Sequence, residues 1–390
     1  MLKTQQSTNP RRLKILVAPD KFKGSLSAVE AAQAIRRGLL RAWPDAQVRE
    51  MPIADGGEGT AGAICAALGG VWITVRTRDP LGEPVDARYA WMPENKTAVI
   101  EMSAASGLWR VPPEKRDPLR SDTRGTGDMI ADAVERGAAR IIVGVGGSAT
   151  NDGGAGMAAA LGVRFLTSDG DAAEPIPANF LSLTRIQVPE NLVLPEIVAA
   201  CDVRNPLLGA RGASRTYGPQ KGADAAVVGT LELALENLAD LCAQDLGSDF
   251  RDTPGAGAAG GLGFGLLTFC QATIRSGFDV VAGILELENA IAASDFVFTG
   301  EGRIDAQTLE GKGPAGVAAL ARKHGKPVLA FGGSIANDAP IHTVFDAVCP
   351  IVNEPMPLEC ALRDAAALLE QAAERAARIM QAGAQQHHVR

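Results

Sequence analysis

Lys14-Ile15-Leu16-Val17-Ala18-Pro19-Asp20-Lys21-Phe22-Lys23-Gly24-Ser25-Leu26-Ser27-Ala28-Val29-Glu30 decides the fold class. KILVAP (14–19) is a short apolar run of the kind a strand buried on both faces requires. The polar loop DKFKGS (20–25) follows. Ser27 and Glu30 then have the spacing of a capping box, with Glu30 placed to reach back to the Ser27 amide. Behind them Val29, Ala32, Ile35, Leu39, Leu40 and Trp43 fall on one helical stripe, Arg36, Arg37 and Arg41 face water, and Pro44 stops the helix. That is a β-loop-α unit. A second strand, VREMPI (48–53), ends in Ala54-Asp55-Gly56-Gly57-Glu58-Gly59-Thr60.

The rhythm changes further along. WITVRT (72–77), DARYAWM (86–92) and TAVIEM (97–102) are short strands separated by turn-rich DPLGEP and PENK, which predicts an antiparallel or mixed portion starting near residue 70. The helix MIADAVERG (129–137), with Gly137 as its stop, restores the βα alternation. The strand ARIIVGV (139–145), the loop GGSATNDGG (146–154) and the helix GMAAALG (156–162) follow it. EIVAACDV (196–203) is a strand, and 251–265, RDTPGAGAAGGLGFG, is extremely Gly-rich. From about 290 clean strand-loop-helix-strand order resumes, and Leu358 to Met380 reads as one long helix.

With 390 residues and roughly 100–200 per domain, two or three domains are expected. Hydrophobic residues at 46% and charged residues at 21% exclude a disordered chain. Only 4% aromatics and a net charge of −7 exclude a nucleic-acid binder, which needs a basic field and stacking rings. The six cysteines are scattered without a C-x-x-C pair, and four histidines are too few for a His-based metal centre or triad to be expected. No run reaches the ~18 apolar residues of a membrane span. The first twelve residues, MLKTQQSTNPRR, hold no apolar stretch, so the expected setting is cytoplasmic.

Chemistry concentrates where strands run into Gly-rich polar loops: ILVAP into DKFKGS, MPI into ADGGEG, IIVGV into GGSATNDGG, VAA into CDVRNP and FVF into TGEGRID. In parallel sheets ligands bind beyond the carboxyl ends of strands, and five such loops predict a site there. Lys21 and Lys23 precede a helix start and suit a phosphate. Asp55, Glu58, Asp152, Asp202, Glu301 and Asp305 suit Mg²⁺ or a general base, and each equally suits a helix cap or turn. Gly144-Val145-Gly146-Gly147-Ser148-Ala149 fits G-x-G-x-x-A, with Asp169 at a dinucleotide-fold distance, and this supports a rival NAD(P)-dependent dehydrogenase. The glycines of 255–260 serve either tight packing or phosphate approach. Gly311-Lys312-Gly313 does not complete a Walker A loop, because no Ser or Thr follows Lys312.

Several long, ungapped blocks resemble the bacterial glycerate kinases of the 2-phosphoglycerate-forming type. They are KILVAPDKFKGSL (14–26), PIADGGEGT (52–60), SDTRGTGD (121–128), GVGGSATNDGGAGMAAALG (144–162), CDVRNPLLG (201–209), GPQKGA (218–223), GAGAAGGLGFG (255–265), TGEGRIDAQTLEGKGPAGVA (299–318) and KPVLAFGGS (326–334). The resemblance covers about 13–380. It implies an α/β protein of two domains: a flavodoxin-like doubly wound parallel sheet formed by both chain ends, 1–70 plus 290–390, and an inserted mixed α/β domain, 71–289, with the active site in the cleft between them. It implies ATP-dependent phosphorylation of D-glycerate to 2-phosphoglycerate with Mg²⁺, acting as monomer or homodimer without nucleic acid or membrane. Phosphorylation at O3 or of a related hydroxy acid, and a non-catalytic nucleotide- or solute-binding protein, are the alternatives beside the dehydrogenase.

On this reading the catalytic set is Lys21, Lys23, Asp55 and Asp202, with Asp55 and Glu301 as metal carboxylates. Substrate and nucleotide contacts fall to Asp20, Ser25, Gly56, Gly57, Glu58, Arg124, Gly125, Thr126, Gly146, Gly147, Ser148, Thr150, Asn151, Asp152, Lys221, Gly300 and Glu301.

Overall fold

The computed structural model describes residues 12–54, 56–306, 308, 313–336 and 340–387. Its strands are β1 (Lys14–Val17), β2 (Gln47–Glu50), β3 (Val71–Arg78), β4 (Pro84–Met92), β5 (Thr97–Glu101), β6 (Arg140–Gly144), β7 (Arg164–Thr167), β8 (Leu183–Gln187), β9 (Glu196–Ala200), β10 (Thr273–Arg275), β11 (Phe296–Ile304), β12 (Val328–Ile335) and β13 (Ala347–Pro350). The chain divides into two compact units, one of Met1–Ile53 with Ala282–Arg390 and one of Ala54–Val281. The loop ADGGEGT therefore belongs with the inserted segment.

In the terminal unit all five strands are parallel, in the order β13-β12-β11-β1-β2. Numbered within the unit, this is the flavodoxin-like order 2-1-3-4-5, whose switch point lies between β1 and β11. Ile15, Leu16 and Val17 are fully buried, as a strand covered on both faces must be. The capping box forms as expected: Ser27 N donates to Glu30 Oε2 at 2.8 Å, and Glu30 N donates to Ser27 Oγ at 3.2 Å. It starts the helix Ala28–Ala42.

That helix buries a face richer in small residues than the expected stripe. Ala28, Ala31, Ala34, Gly38 and Ala42 are buried, while Val29, Leu40 and Trp43 are only half-buried. Small side chains let it lie close against the helix Ala365–His387, where Arg37 and Arg41 pair with Glu370. The predicted single helix 358–380 is two, Leu358–Arg363 and Ala365–His387. They join at Asp364, a residue type that favours caps, whose carbonyl accepts the Leu368 amide. Leu362 and Ile379, apolar positions within that predicted helix, are exposed. TGEG (299–302) is not a loop either: β11 continues through it to Ile304, paired with β12.

The inserted unit holds a mixed sheet, β10-β9-β6-β5-β4-β3, whose first four strands are parallel and whose β5-β4-β3 portion is the antiparallel meander expected from 71–101. β7 and β8 form a separate two-stranded ribbon. Tyr89, Ile100, Ile141, Phe165, Phe180 and Phe264 fill its core. No described helix is long and apolar enough to cross a membrane.

Candidate active site

Two sets of strand ends carry the candidate residues, one in each unit. In the terminal unit, Ala18 N donates to the Phe298 carbonyl at 2.7 Å and Asp20 N to the Gly300 carbonyl at 2.8 Å, so the chain leaves β1 stitched to β11 at the switch point. Asp20 is buried, and its Oδ1 accepts the Lys21 amide at 2.6 Å. Phe22 and Leu26 exchange both backbone hydrogen bonds at 2.9 Å, closing a tight loop with Phe22 as its buried anchor. Lys21 is left half-buried and Lys23 exposed. Ser25 Oγ donates to the Phe22 carbonyl at 3.0 Å, and the helix cap, Ser27, lies two residues beyond it. Glu301 is half-buried on β11, where its Oε1 accepts the Thr308 hydroxyl at 2.7 Å. Gly313, at the start of the helix Pro314–Lys323, lies beside the Asp20 carboxylate, a favourable place for negative charge.

In the inserted unit the loops gather at the carboxyl ends of β5, β6 and β9. Gly56 packs on Ala200 and Gly277 with no room for a side chain. The helix Thr60–Leu68 begins at Gly59, which has no side chain to cap it. Glu101, at the end of β5, does so from a distance: its Oε1 accepts Gly59 N at 3.0 Å and Ala61 N at 2.8 Å. Sequence reasoning missed this residue, whose only signal is an acidic side chain closing an apolar strand. Asp202, after β9, is half-buried, and its Oδ1 accepts the Gly277 amide at 3.1 Å. Gly57 and Gly146 are half-buried, and Glu58 and Gly147 are exposed. Asp55 lies outside the described residues.

The rest of this set is interior. Ser148, Thr150, Asn151 and Asp152 are buried. Asp152 Oδ2 accepts Thr123 N at 2.8 Å, the Thr123 hydroxyl at 2.7 Å and Gly156 N at 3.0 Å, and its Oδ1 accepts Gly154 N at 3.2 Å. With its lone pairs so committed, this carboxylate ties the loop to the 121–125 segment. Thr126 is also buried, sharing its hydroxyl with Ser106 at 2.9 Å, next to buried Gly125 and half-buried Arg124. Asn151 Nδ2 donates to Ser214 Oγ at 3.0 Å, while Asn151 Oδ1 and Thr150 Oγ1 have no partner among the described residues.

Lys221 is 1% exposed and donates from Nζ to the Thr150 carbonyl at 2.6 Å. Burial pushes its ammonium down to about 7, against the pull of Asp152. Between pH 7 and the unfolded value of 10.5 the folded chain thus holds fewer protons here than the unfolded one, so this group makes stability rise with pH in that window. Lys221→Met is expected to remove that slope. Melting temperatures at pH 7.5 and 9.5 should show the wild-type advantage growing with pH, and a constant difference would mean that Lys221 does not titrate there.

The dinucleotide reading fails on topology. The helix after Gly144-Val145-Gly146-Gly147-Ser148-Ala149 begins only at Ala155, and the strand after it, β7, pairs with β8 outside the main sheet. β6 instead lies between β5 and β9. The βαβ unit that gives the fingerprint its meaning is therefore not built here.

Comparison with known proteins agrees with the α/β fold. A family model described as the glycerate kinase family matches residues 15–381. The chain is 48% identical over 366 residues to a glycerate kinase of Bacillus subtilis (strain 168), covering 93% of this chain and 96% of that one. It is 46% identical over 363 residues to a glycerate 2-kinase of Escherichia coli (strain K12), covering 90% and 94%. A crystal structure from Salmonella typhimurium LT2, of a protein proposed to be a glycerate kinase 2, superposes with a TM-score of 0.88 at 44% identity, covering 96% of this chain and all of that one. With matches of this length on both sequence and fold, the chain is a kinase and belongs to the glycerate kinase family.

Proposed function

We propose that this protein transfers the γ-phosphoryl group of ATP to the 2-hydroxyl of D-glycerate, releasing ADP. The observation that carries the reading is the name glycerate 2-kinase on the Escherichia coli relative, joined to strand-end loops that supply ammonium groups and carboxylates. Phosphoryl transfer asks a protein for in-line positioning and for compensation of charge on the transferring group. Lys21, held half-buried by the Asp20 carboxylate on its amide, stabilises the transferred phosphoryl oxygens, and exposed Lys23 assists. Asp202 takes the proton of the attacking hydroxyl. Gly146 and Gly147, with backbone close to solvent after β6, approach the nucleotide phosphates.

The residues present fit Mg²⁺. Asp20, in the loop after β1 with its amide on the Gly300 carbonyl, and Glu301, on β11, both bring hard carboxylate oxygens to this part of the terminal unit. No described group gathers three or more ligating side chains, but Mg²⁺ in kinases needs only one or two protein carboxylates beside substrate phosphates and water. Asp20 and Glu301 would hold it. When bound it would neutralise charge on the β- and γ-phosphates.

The test is ADP formation from Mg·ATP with and without D-glycerate, with the product offered to enolase directly and after phosphoglycerate mutase. Glycerate-dependent ADP with direct consumption by enolase is expected. A product that first needs the mutase moves the phosphate to O3, and ADP formation indifferent to glycerate removes the reading.

A further inference from the structure

Three segments of the inserted unit line a cavity of about 540 Å³, and of its lining only Arg124 belongs to the expected substrate and nucleotide contacts. Arg78 ends β3, Lys115, Arg120 and Arg124 come from the segment leading into the helix Arg124–Glu135, and Glu174 stands on the third segment. The walls are stitched together by main chain: Asp122 N donates to the Pro80 carbonyl at 3.0 Å, and Ala178 N to the Leu119 carbonyl at 2.9 Å. Asp79 and Asp117 each fold their own loop, Asp79 Oδ1 accepting Leu81 N at 2.8 Å and Asp117 Oδ1 accepting Leu119 N at 3.0 Å. Gly125 sets the joint. A Cβ there would stand 2.2 Å from the Arg78 carbonyl oxygen, so only glycine lets the first helical turn reach the end of β3.

Arg78 and Arg124 both act on the Asp122 carboxyl, yet neither closes a salt bridge with it. Arg78, Lys115, Arg120 and Arg124 line one cavity, and among the described residues none of the four is in an ion pair. Elsewhere among the described residues surface cations close such pairs, as Arg37 with Glu370 and Arg136 with Asp132. Three carboxylates share the wall, Asp117, Asp122 and Glu174. Burial, reinforced by the Asp152 charge, pushes the Asp122 carboxyl up to about 7, which reduces its opposition to an anion near neutrality. Cations of this number suit phosphate, which Arg recognises through paired N–H groups, and the carboxylates accept from hydroxyls. The volume is within the range of small-molecule sites.

We propose that this cavity binds the phosphate group of a hydroxylated small molecule, with Arg78, Lys115, Arg120 and Arg124 on the phosphate and Glu174 on a hydroxyl. Two sources carry that chemistry: a nucleotide, through its phosphates and ribose, and a phosphorylated hydroxy acid. The proposal stands apart from the kinase reading, because binding is measured without turnover.

Isothermal titration of the full chain with orthophosphate, ADP and 2-phosphoglycerate tests it, comparing wild type with Arg78→Ala, Arg120→Ala and Lys115→Ala. Loss of one phosphate-binding cation is expected to weaken at least one probe on the order of tenfold. Weakening confined to ADP assigns the nucleotide, and weakening of 2-phosphoglycerate with ADP unchanged assigns a second ligand. Lys115 is exposed on a short turn, so its variant keeps the test valid should an arginine variant misfold. Identical affinities in wild type and all three variants, or no probe bound by wild type, would overturn the proposal whatever the glycerate assay gives.

Discussion

Lys21→Ala is expected to lower kcat/KM for glycerate-dependent ADP formation on the order of 10²–10³-fold, the scale of losing one preorganised charge-stabilising donor at a developing oxyanion. The backbone around Lys21 is fixed without its side chain. Asp20 Oδ1 holds its amide, the Phe22–Leu26 pair closes the loop, and buried Phe22 anchors it. Truncation therefore removes the ammonium and little packing, and melting temperature should be unchanged. Because a charge that forms in the transition state is the target, the loss should fall mainly on kcat, with a smaller rise in KM. Lys23→Ala, at an exposed position, should lose less. A folded Lys21→Ala enzyme with wild-type turnover would show that the phosphoryl group is stabilised elsewhere.

What the sequence made legible was local. The capping box at Ser27 and Glu30 involves partners three residues apart, and it forms as read. The buried strand β1 and the meander β3–β5 follow from apolar runs and turn residues. Strand order depends on pairings across more than two hundred residues, such as Ile15 with Phe296, and only the family resemblance implied it. Glycine misled where it marks close approach rather than a turn. TGEG reads as a loop, yet Gly300 and Gly302 sit inside β11, where a side chain on either would strike the Phe331 carbonyl or the Lys23 amide. The candidate site divides on the same principle. Lys21 and Asp202 follow strand ends, as composition suggested, whereas Glu301 stands within β11. Thr150, Asn151, Asp152 and Lys221 have equally polar sequence surroundings but lie inside, because their partners come from distant segments that sequence alone does not bring together. The remote cap supplied by Glu101 was invisible for that reason too.

The largest stability loss is expected from Gly260→Ala. Ala259, Gly260 and Gly261 run consecutively through left-handed conformations, at φ of 53°, 70° and 90°. This turns the Gly-rich stretch against the loop 150–154, and Gly153 N donates to the Gly260 carbonyl at 3.0 Å. A Cβ on Gly260 would stand 1.9 Å from the Thr150 carbonyl oxygen and 2.7 Å from Asn151 Cα. The loop cannot retreat cheaply. Lys221 Nζ holds that same carbonyl from a buried position, and Asp152 binds the following residues to Thr123. Left-handed backbone in an L-residue costs about 1–2 kcal/mol, and overpacking a filled interior about 1–3 kcal/mol more. For a unit of this size, each kcal/mol lowers the melting temperature by about 2–4 °C, so a fall of roughly 10 °C is expected. Gly229→Ala is the control. It lies within the helix Ala225–Leu246 with nothing near its Cβ position, and should stabilise by about 0.5–1 kcal/mol. Calorimetric melting of the two variants beside wild type should therefore move in opposite directions. If Gly260→Ala melts with wild type, the 150–154 loop yields to an added methyl, and its buried hydrogen bonds do not fix the strand-end site.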